Sequence, residues 1–325
     1  MSVAPTRASA LPALALVFNA FVWGVSWWPL RQLEAVGVHP LWATVLIYVF
    51  AVLAITLARP AAWRELFSHP ALWVLVLASG TTNAAFNWAV TIGDVVRIVL
   101  LFYLMPLWAV LLARLLLHEP FTRGASLRVA LALAGALVIL WPPGGGLPLP
   151  RTLPEALGVL GGFAFALNNV MLRREAARSE GARALAMFVG GATVAGLLIA
   201  LLALLGPAGA VPPLPAPASG WLLGALALAG FFLAGNLALQ YGATWLSANT
   251  TAVIMLSEVL FASASALALG AGVLDLRLAV GGAAIIGAGV LATRQGAEGL
   301  IRKCAQSHQS NCRPSARCGR LRPRA

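Results

Sequence analysis

The chain has 325 residues, 60% of them hydrophobic and only 10% charged, whereas soluble domains carry roughly 25% charged residues. That leaves too little polar surface to coat a water-soluble globule, and so apolar a chain is not a disordered one. Three cysteines, all within the last twenty-two residues, exclude a disulfide scaffold, so the composition is that of a polytopic membrane protein.

A membrane-crossing helix needs about 20 mainly apolar residues. Runs of that kind, separated by charges or Pro/Gly clusters, predict ten spans at 11–30, 39–58, 70–93, 96–116, 124–141, 154–172, 183–205, 219–241, 245–270 and 276–293. From Ala184 to Ser257 there is no charge at all. That stretch is divided at 206–218, where five prolines cannot continue a helix, and again at the Gly-Ala-Thr-Trp-Leu-Ser-Ala-Asn segment from Gly242. The first run is longer than a signal-peptide core and lacks a clear cleavage site, so it reads as a span.

The formal charge of +12 is uneven. Residues 294–325 hold eight basic residues and Glu298, a net of +7, leaving +5 for the rest. A solvated basic tail near anionic lipid heads fits this. A nucleic-acid surface would need a basic patch beside aromatic or groove-reading elements, and none is visible. Basic residues also orient the spans. With the N-terminus inside, Arg7, Arg59, Arg64, Arg114, Arg123, Arg128, Arg173, Arg174, Arg178 and Arg183 lie on the inner side. Only Arg31, Arg97, Arg151 and Arg277 lie outside. Both termini are therefore expected in the cytoplasm.

The chain repeats itself. Asn87-Trp-Ala-Val-Thr-Ile-Gly93 returns as Asn236-Leu-Ala-Leu-Gln-Tyr-Gly242, fourteen residues after Trp73 and fifteen after Trp221. Arg31 after the first span matches Arg173 after the sixth, and the segment around Gly135 matches that around Gly287. Five spans per repeat is odd, so the halves are expected to be inverted, a recurrent transporter plan with the binding site at the repeat interface. The expected organisation is an N-terminal segment 1–10, a first five-helix repeat 11–141, a Pro/Gly-rich linker 142–153, a second repeat 154–293 and a basic tail 294–325.

Phe21-Val-Trp-Gly24, Tyr103-Leu-Met-Pro106, Glu119-Pro120 and the Gly135 segment resemble the drug/metabolite transporter superfamily, specifically its EamA-domain members, over about 11–293. The resemblance implies ten helices in two five-helix halves and transport of a small metabolite, often outward across a bacterial inner membrane. It names no substrate. The second half departs from the pattern: Ser257 stands where the first half has Pro106, and Glu258 appears next to it.

Glu258 is the first site candidate. A charge at mid-span costs about 2.5–3.5 kcal/mol on insertion scales, so it must face a cavity, find a partner or carry a proton. Two readings stand: a carboxyl coupled to protons or to a substrate amine, and a protonated carboxyl tying two helices together. Asn83 and Asn87 share one helix face, as do Asn236 and Gln240. With Asn19 and Asn168 they supply donors and acceptors for a polar solute, or hold helices together at about 0.6–2 kcal/mol each. Trp23 and Tyr103 are the deep aromatics expected to wall a pocket; Trp27, Trp88 and Trp108 are further candidates. Trp28, Trp42, Trp73, Trp141, Trp221 and Trp245 fit interfacial positions. Asp94 and Arg97 are expected to pair locally. Pro106 removes a mid-span hydrogen bond and is a candidate hinge.

In the tail, Cys304, His308, Cys312 and Cys318 lack close-paired zinc spacing. No metal or other cofactor is expected, and no nucleotide-binding or hydrolase motif is present. The expectation is a secondary transporter rather than an enzyme. Its partners are a small-molecule substrate and the lipid bilayer, with Glu258 expected either to couple transport to protons or to bind a substrate amine. The competing readings are a passive facilitator of the same fold and a membrane assembly protein without cargo.

Overall fold

The structure is a computed structural model. It describes residues 10–93, 95–118, 123–141, 150–207 and 209–269, with isolated positions between 276 and 287. The tenth expected span falls largely beyond these residues, and the tail wholly so. Asp94 and the Arg97 side chain also lie outside the described set.

Twelve helices follow one another: α1 (Ala10–Ala35), α2 (Pro40–Ala58), α3 (Ala61–Ser68), α4 (Pro70–Ile92), α5 (Val95–Phe102), α6 (Met105–Leu117), α7 (Arg123–Leu140), α8 (Leu153–Arg174), α9 (Glu180–Leu205), α10 (Ser219–Trp245), α11 (Ala248–Met255) and α12 (Glu258–Ala268). The described residues contain no strand. Five helices, α1, α2, α8, α9 and α10, are long and apolar enough to cross a membrane. The chain is a multi-pass membrane protein.

Local chemistry sets the helix ends. Proline opens α2 and α4 in the first turn, where no N–H is needed. Glu155 accepts the backbone N–H groups of Arg151 and Thr152 at the start of α8. The Ser179 hydroxyl accepts from Ala182 N–H (3.2 Å), and Ser247 does the same for Thr250 (3.2 Å). The Ser247 cap shows why α10 runs on to Trp245, where the sequence predicted the next span to begin.

Two expected spans are broken. The fourth divides into α5 and α6 at Tyr103–Leu104, and the ninth into α11 and α12 at Leu256–Ser257. At each break the ladder tightens to three-residue steps: Leu104 N–H to Leu101 O, and Ser257 N–H to Ile254 O. Pro106 lies in the first turn of α6, just past the first break, so it opens a new helix rather than bending a continuous one. Glu258 is the first residue of α12.

Packing crosses between the two halves. α4 lies against α8 and α9, while α10 lies against α1 and α2; α8 covers α5 and α6, and α1 covers α11 and α12. Small residues allow these approaches. A Cβ on Gly80 would strike the Gly190 carbonyl oxygen, and one on Gly190 would strike that of Val76. The connections also sort by end. Trp42, at the start of α2, donates to Pro212 O before α10 (3.1 Å). At the opposite end, Arg178 donates to His69 Nε2 (2.8 Å), so the α8–α9 connection meets the start of α4.

Candidate functional site

Where the halves meet, polar side chains from both face a narrow seam. Two cavities of about 20 Å³ each lie there, and Trp23, Thr82, Asn83 and Phe165 line both. The first also touches Asn19, Tyr48, Ser79, Asn168 and Asn236; the second touches Phe86, Phe102 and Glu258. A water needs about 10–15 Å³ of such space. Each cavity thus has room for about one water, and in this conformation the seam is closed around no more than that.

The amides differ in what holds them. Asn83 is fully committed: its Oδ1 accepts from the Tyr48 hydroxyl, and its Nδ2 donates to Ser79 O (2.7 Å). Asn87 lies away from both cavities and donates to Thr44 Oγ1 (2.8 Å), joining α4 to α2. Asn236 accepts from Gln240 Nε2 (2.8 Å) and donates to the Met187 sulfur (3.2 Å). Asn19 donates to the Met255 sulfur (3.4 Å), and its Oδ1 has no partner.

Asn168 is 1% exposed, and neither its amide nitrogen nor its oxygen has a protein partner; the same holds for Asn169. Buried amides left so are uncommon. They are free for a polar solute or a water.

Aromatic rings surround the seam. Trp23 stacks on Phe232 with centroids 4.7 Å apart, and Phe188 lies 5.0 Å from Tyr48. Phe86, Phe102 and Phe165 form a second group beside Glu258, with centroid separations of 4.7 and 5.6 Å. Glu258 is 7% exposed and has no hydrogen bond or ion pair among the described residues. Tyr103 sits at the α5–α6 break, near enough to Glu258 to interact electrostatically, with its hydroxyl unpaired. It lines neither cavity.

Among the sequence candidates, Asn19, Trp23, Asn83, Asn168, Asn236 and Glu258 come together at the seam, while Asn87, Tyr103 and Gln240 stand behind it. Trp27 is tied instead to Ser265 (3.0 Å), and Trp108 packs edge-on against Phe163.

Sequence reasoning did not single out Tyr48, Ser79 or Thr82, which carry no charge and sit in ordinary apolar spans. It also treated Arg183 only as a loop charge. Arg183 is 3% exposed. Its Nε donates to Gln240 Oε1 (3.1 Å), and its Nη1 donates to the carbonyls of Glu175, Ala176 and Arg178. Arg183, Gln240 and Asn236 thus form a polar chain from the α8–α9 turn to the seam. The signal was present: Arg183, Met187, Gly190 and Gly191 share one helix face, and glycines on a face mark close packing.

Residues 10–141 match the family model described as the EamA-like transporter family. The N-terminal part of the chain is thus similar to EamA-type members of the drug/metabolite transporter superfamily. The chain is 30% identical over 172 residues to Protein RarD of Salmonella typhi, an alignment that covers 51% of it and 55% of that protein. It is 37% identical over 98 residues to an uncharacterized transporter of Pseudomonas aeruginosa, 29% of this chain and 33% of that one. It is also 31% identical over 122 residues to the chloramphenicol-sensitive protein RarD of the same species, covering 35% and 40% respectively. The chain therefore aligns with about a third to about half the length of these relatives. A solved crystal structure superposes with a TM-score of 0.67 over 90% of this chain and 98% of that one, at 19% identity, which is a likeness of fold.

Proposed function

We propose that this protein is an EamA-type secondary transporter that moves a small amphiphilic metabolite, such as an amino acid, outward across the bacterial inner membrane. The observation that carries the reading is Glu258: a buried carboxyl with no hydrogen bond or ion pair among the described residues, on the seam between the two halves. It lines one of two cavities that share Trp23, Thr82, Asn83 and Phe165, the other being lined by the unpaired amide of Asn168. An intramembrane ionisable residue placed so marks a substrate or ion path.

The working organisation is ten helices in two inverted five-helix repeats, 11–141 and 154–293, joined by a linker at 142–153. Three observations support it. α4 packs on α8 and α9 as α10 packs on α1 and α2. The fourth and ninth spans break at matching places. The α1–α2 connection lies near the α9–α10 loop, while its repeat mate, the α8–α9 connection, lies at the other end.

In this mechanism the repeats rock about the seam to give alternating access. The breaks before Pro106 and Glu258 are the bending points. Trp23, Asn19, Asn168 and Asn236 hold the solute, while Asn83, Asn87, Tyr103 and Gln240 set the shape of the site. Glu258 takes up a proton or a substrate amine. The Arg-rich end, with both termini, faces the cytoplasm.

Counterflow of radiolabelled solutes in proteoliposomes tests the reading. The panel holds amino acids, small amines and, because a relative carries the drug in its name, chloramphenicol. Accumulation of one solute against preloaded unlabelled solute is the expected result. A chain that moves none of them, while stable and correctly inserted, is not a transporter of this class.

A further inference from the structure

A larger cavity lies away from the seam. It measures about 640 Å³ and sits at the Arg-rich end, between the end of α2, the short helix α3, the start of α9 and the middle of α10. Sites for small molecules run from about 300 to 1,000 Å³. This groove has that size, whereas the seam holds about one water.

Its walls are of two kinds. Deeper in the bundle they are apolar: Ala54, Ile55, Ala58, Leu233 and Leu237. Ala54, Ala58 and Leu237 are exposed, so the groove opens sideways between α2 and α10. Both are helices long and apolar enough to span the membrane. A groove open on that side faces acyl chains.

At the mouth the walls are charged. Arg59 and Glu180 are both exposed, and neither side chain has a hydrogen bond or ion pair among the described residues. Both line the groove, and α2 meets α9 here: a Cβ on Gly181, next to Glu180, would lie 3.3 Å from that of Arg59. The third charge, Glu65, is already engaged by the Ser179 backbone N–H (3.1 Å) and hydroxyl (2.5 Å).

The depth of the mouth is marked independently. Trp63, Phe67 and Trp73 form a chain of ring contacts at 6.0 and 5.8 Å, and Phe67 and Trp73 are exposed. Exposed aromatics on a short helix and at the start of the span that follows it belong at the headgroup level. The charges of the mouth are thus at head depth and the apolar walls at chain depth.

We propose that this groove is a phospholipid site: one acyl chain lies along α2 and α10, and a zwitterionic, amine-bearing head sits with its phosphate at Arg59 and its ammonium at Glu180. An anionic head without an amine would bring no cation to Glu180 and would face Glu65. A simple cationic amphiphile would leave Arg59 unmatched. A bilayer groove of this size does not stay empty, and one charge of each sign selects the head that carries both. The site does not depend on the transport reading, because no cargo takes part.

Native mass spectrometry of the full chain tests it, after extraction from membranes and after exchange into nanodiscs of phosphatidylethanolamine or phosphatidylglycerol. The wild type is expected to retain one phosphatidylethanolamine. Ala54→Trp with Ala58→Trp fills the groove and should reduce retention by about tenfold or more, a loss of ~1.4 kcal/mol. Ala54→Leu alone is the milder variant, expected to weaken retention while folding normally. Arg59→Gln with Glu180→Gln keeps the volume and should abolish the preference between heads. Equal retention by wild type and both groove-filled variants would overturn the proposal. So would a wild-type preference for phosphatidylglycerol, an absence of any retained lipid, or retention of a non-phospholipid amphiphile. Failed counterflow leaves this site untouched, and failed lipid retention leaves the transport reading untouched.

Discussion

Gly24 on α1 lies so near Glu258 on α12 that a Cβ at Gly24 would stand 2.8 Å from the Glu258 carbonyl oxygen and 2.6 Å from the Cβ of Phe261. The Phe-Val-Trp-Gly run of the first span therefore has a structural task. Its glycine lets the first half reach the broken ninth span, and its Trp23 lines both cavities of the seam.

This contact has no room for a larger residue. Gly24→Val is expected to destabilise the protein by about 1–3 kcal/mol, as overpacking does, and to displace Glu258 from the seam. Thermal unfolding in detergent checks the first effect. A Tm equal to that of the wild type would show that α1 and α12 do not approach so closely.

The Tyr48–Asn83 hydrogen bond is the second test. Tyr48→Phe keeps the ring contacts with Phe188 and Phe232 but removes the donor to Asn83 Oδ1. The expected loss is about 0.6–2 kcal/mol, the range for interhelix polar contacts in membranes. A Tyr48→Phe, Asn83→Leu double-mutant cycle should show coupling between the two sites. Additive effects would mean that the pair does not interact.

Arg183 should resist replacement. Arg183→Met removes donors from Gln240 and from three carbonyls at the α8–α9 turn, and hydrogen bonds to charged groups are worth about 1.5–3 kcal/mol each. Arg183→Lys should not restore stability, because one ammonium cannot replace a fork that reaches both partners. Hydrogen exchange is expected to rise at the α8–α9 turn in both variants. Wild-type protection in Arg183→Met would remove Arg183 from this structural role.

Much of this architecture was legible in the sequence. Pro40, Pro70 and the prolines of 206–218 punctuate the chain where the helices begin and end, because proline cannot continue a helix but is accepted in its first turn. The breaks at Tyr103–Leu104 and Leu256–Ser257 were not legible. Hydropathy measures how apolar a run is, and both runs stay apolar through the break. Helix α3 escaped notice because eight amphipathic residues are too few to register as a span. At the seam, charge and amide character singled out Glu258, Asn19, Asn168 and Asn236. Tyr48, Ser79 and Thr82 join them only through packing that brings α2 and α4 together.

Two groups outside the spans give the fold a pH dependence. Burial alone would raise the Glu65 carboxyl, but the Ser179 hydroxyl and N–H, then His69 and Arg178, together hold it below the ordinary 4.5. Its contribution is therefore complete above about 4.5 and lost as the pH falls through the lowered value. Burial holds His39 below the ordinary 6.5. Its Nδ1 accepts the Leu41 N–H at the start of α2 (3.3 Å), which requires that nitrogen unprotonated. That contribution is complete above about 6.5 and lost as the pH falls through its own lowered value. Unfolding midpoints from pH 8 to about 2 are expected to decline in two stages. His39→Asn should remove the upper stage and Glu65→Gln the lower. A single stage unaffected by either substitution would contradict the assignment.

The most direct test of the central claim is counterflow by wild type and Glu258→Gln side by side, with and without an imposed pH gradient. Wild-type transport is expected to respond to the gradient, and Glu258→Gln to lose the response while remaining folded and inserted. An unchanged response in Glu258→Gln would contradict it and reduce Glu258 to a packing residue at the seam.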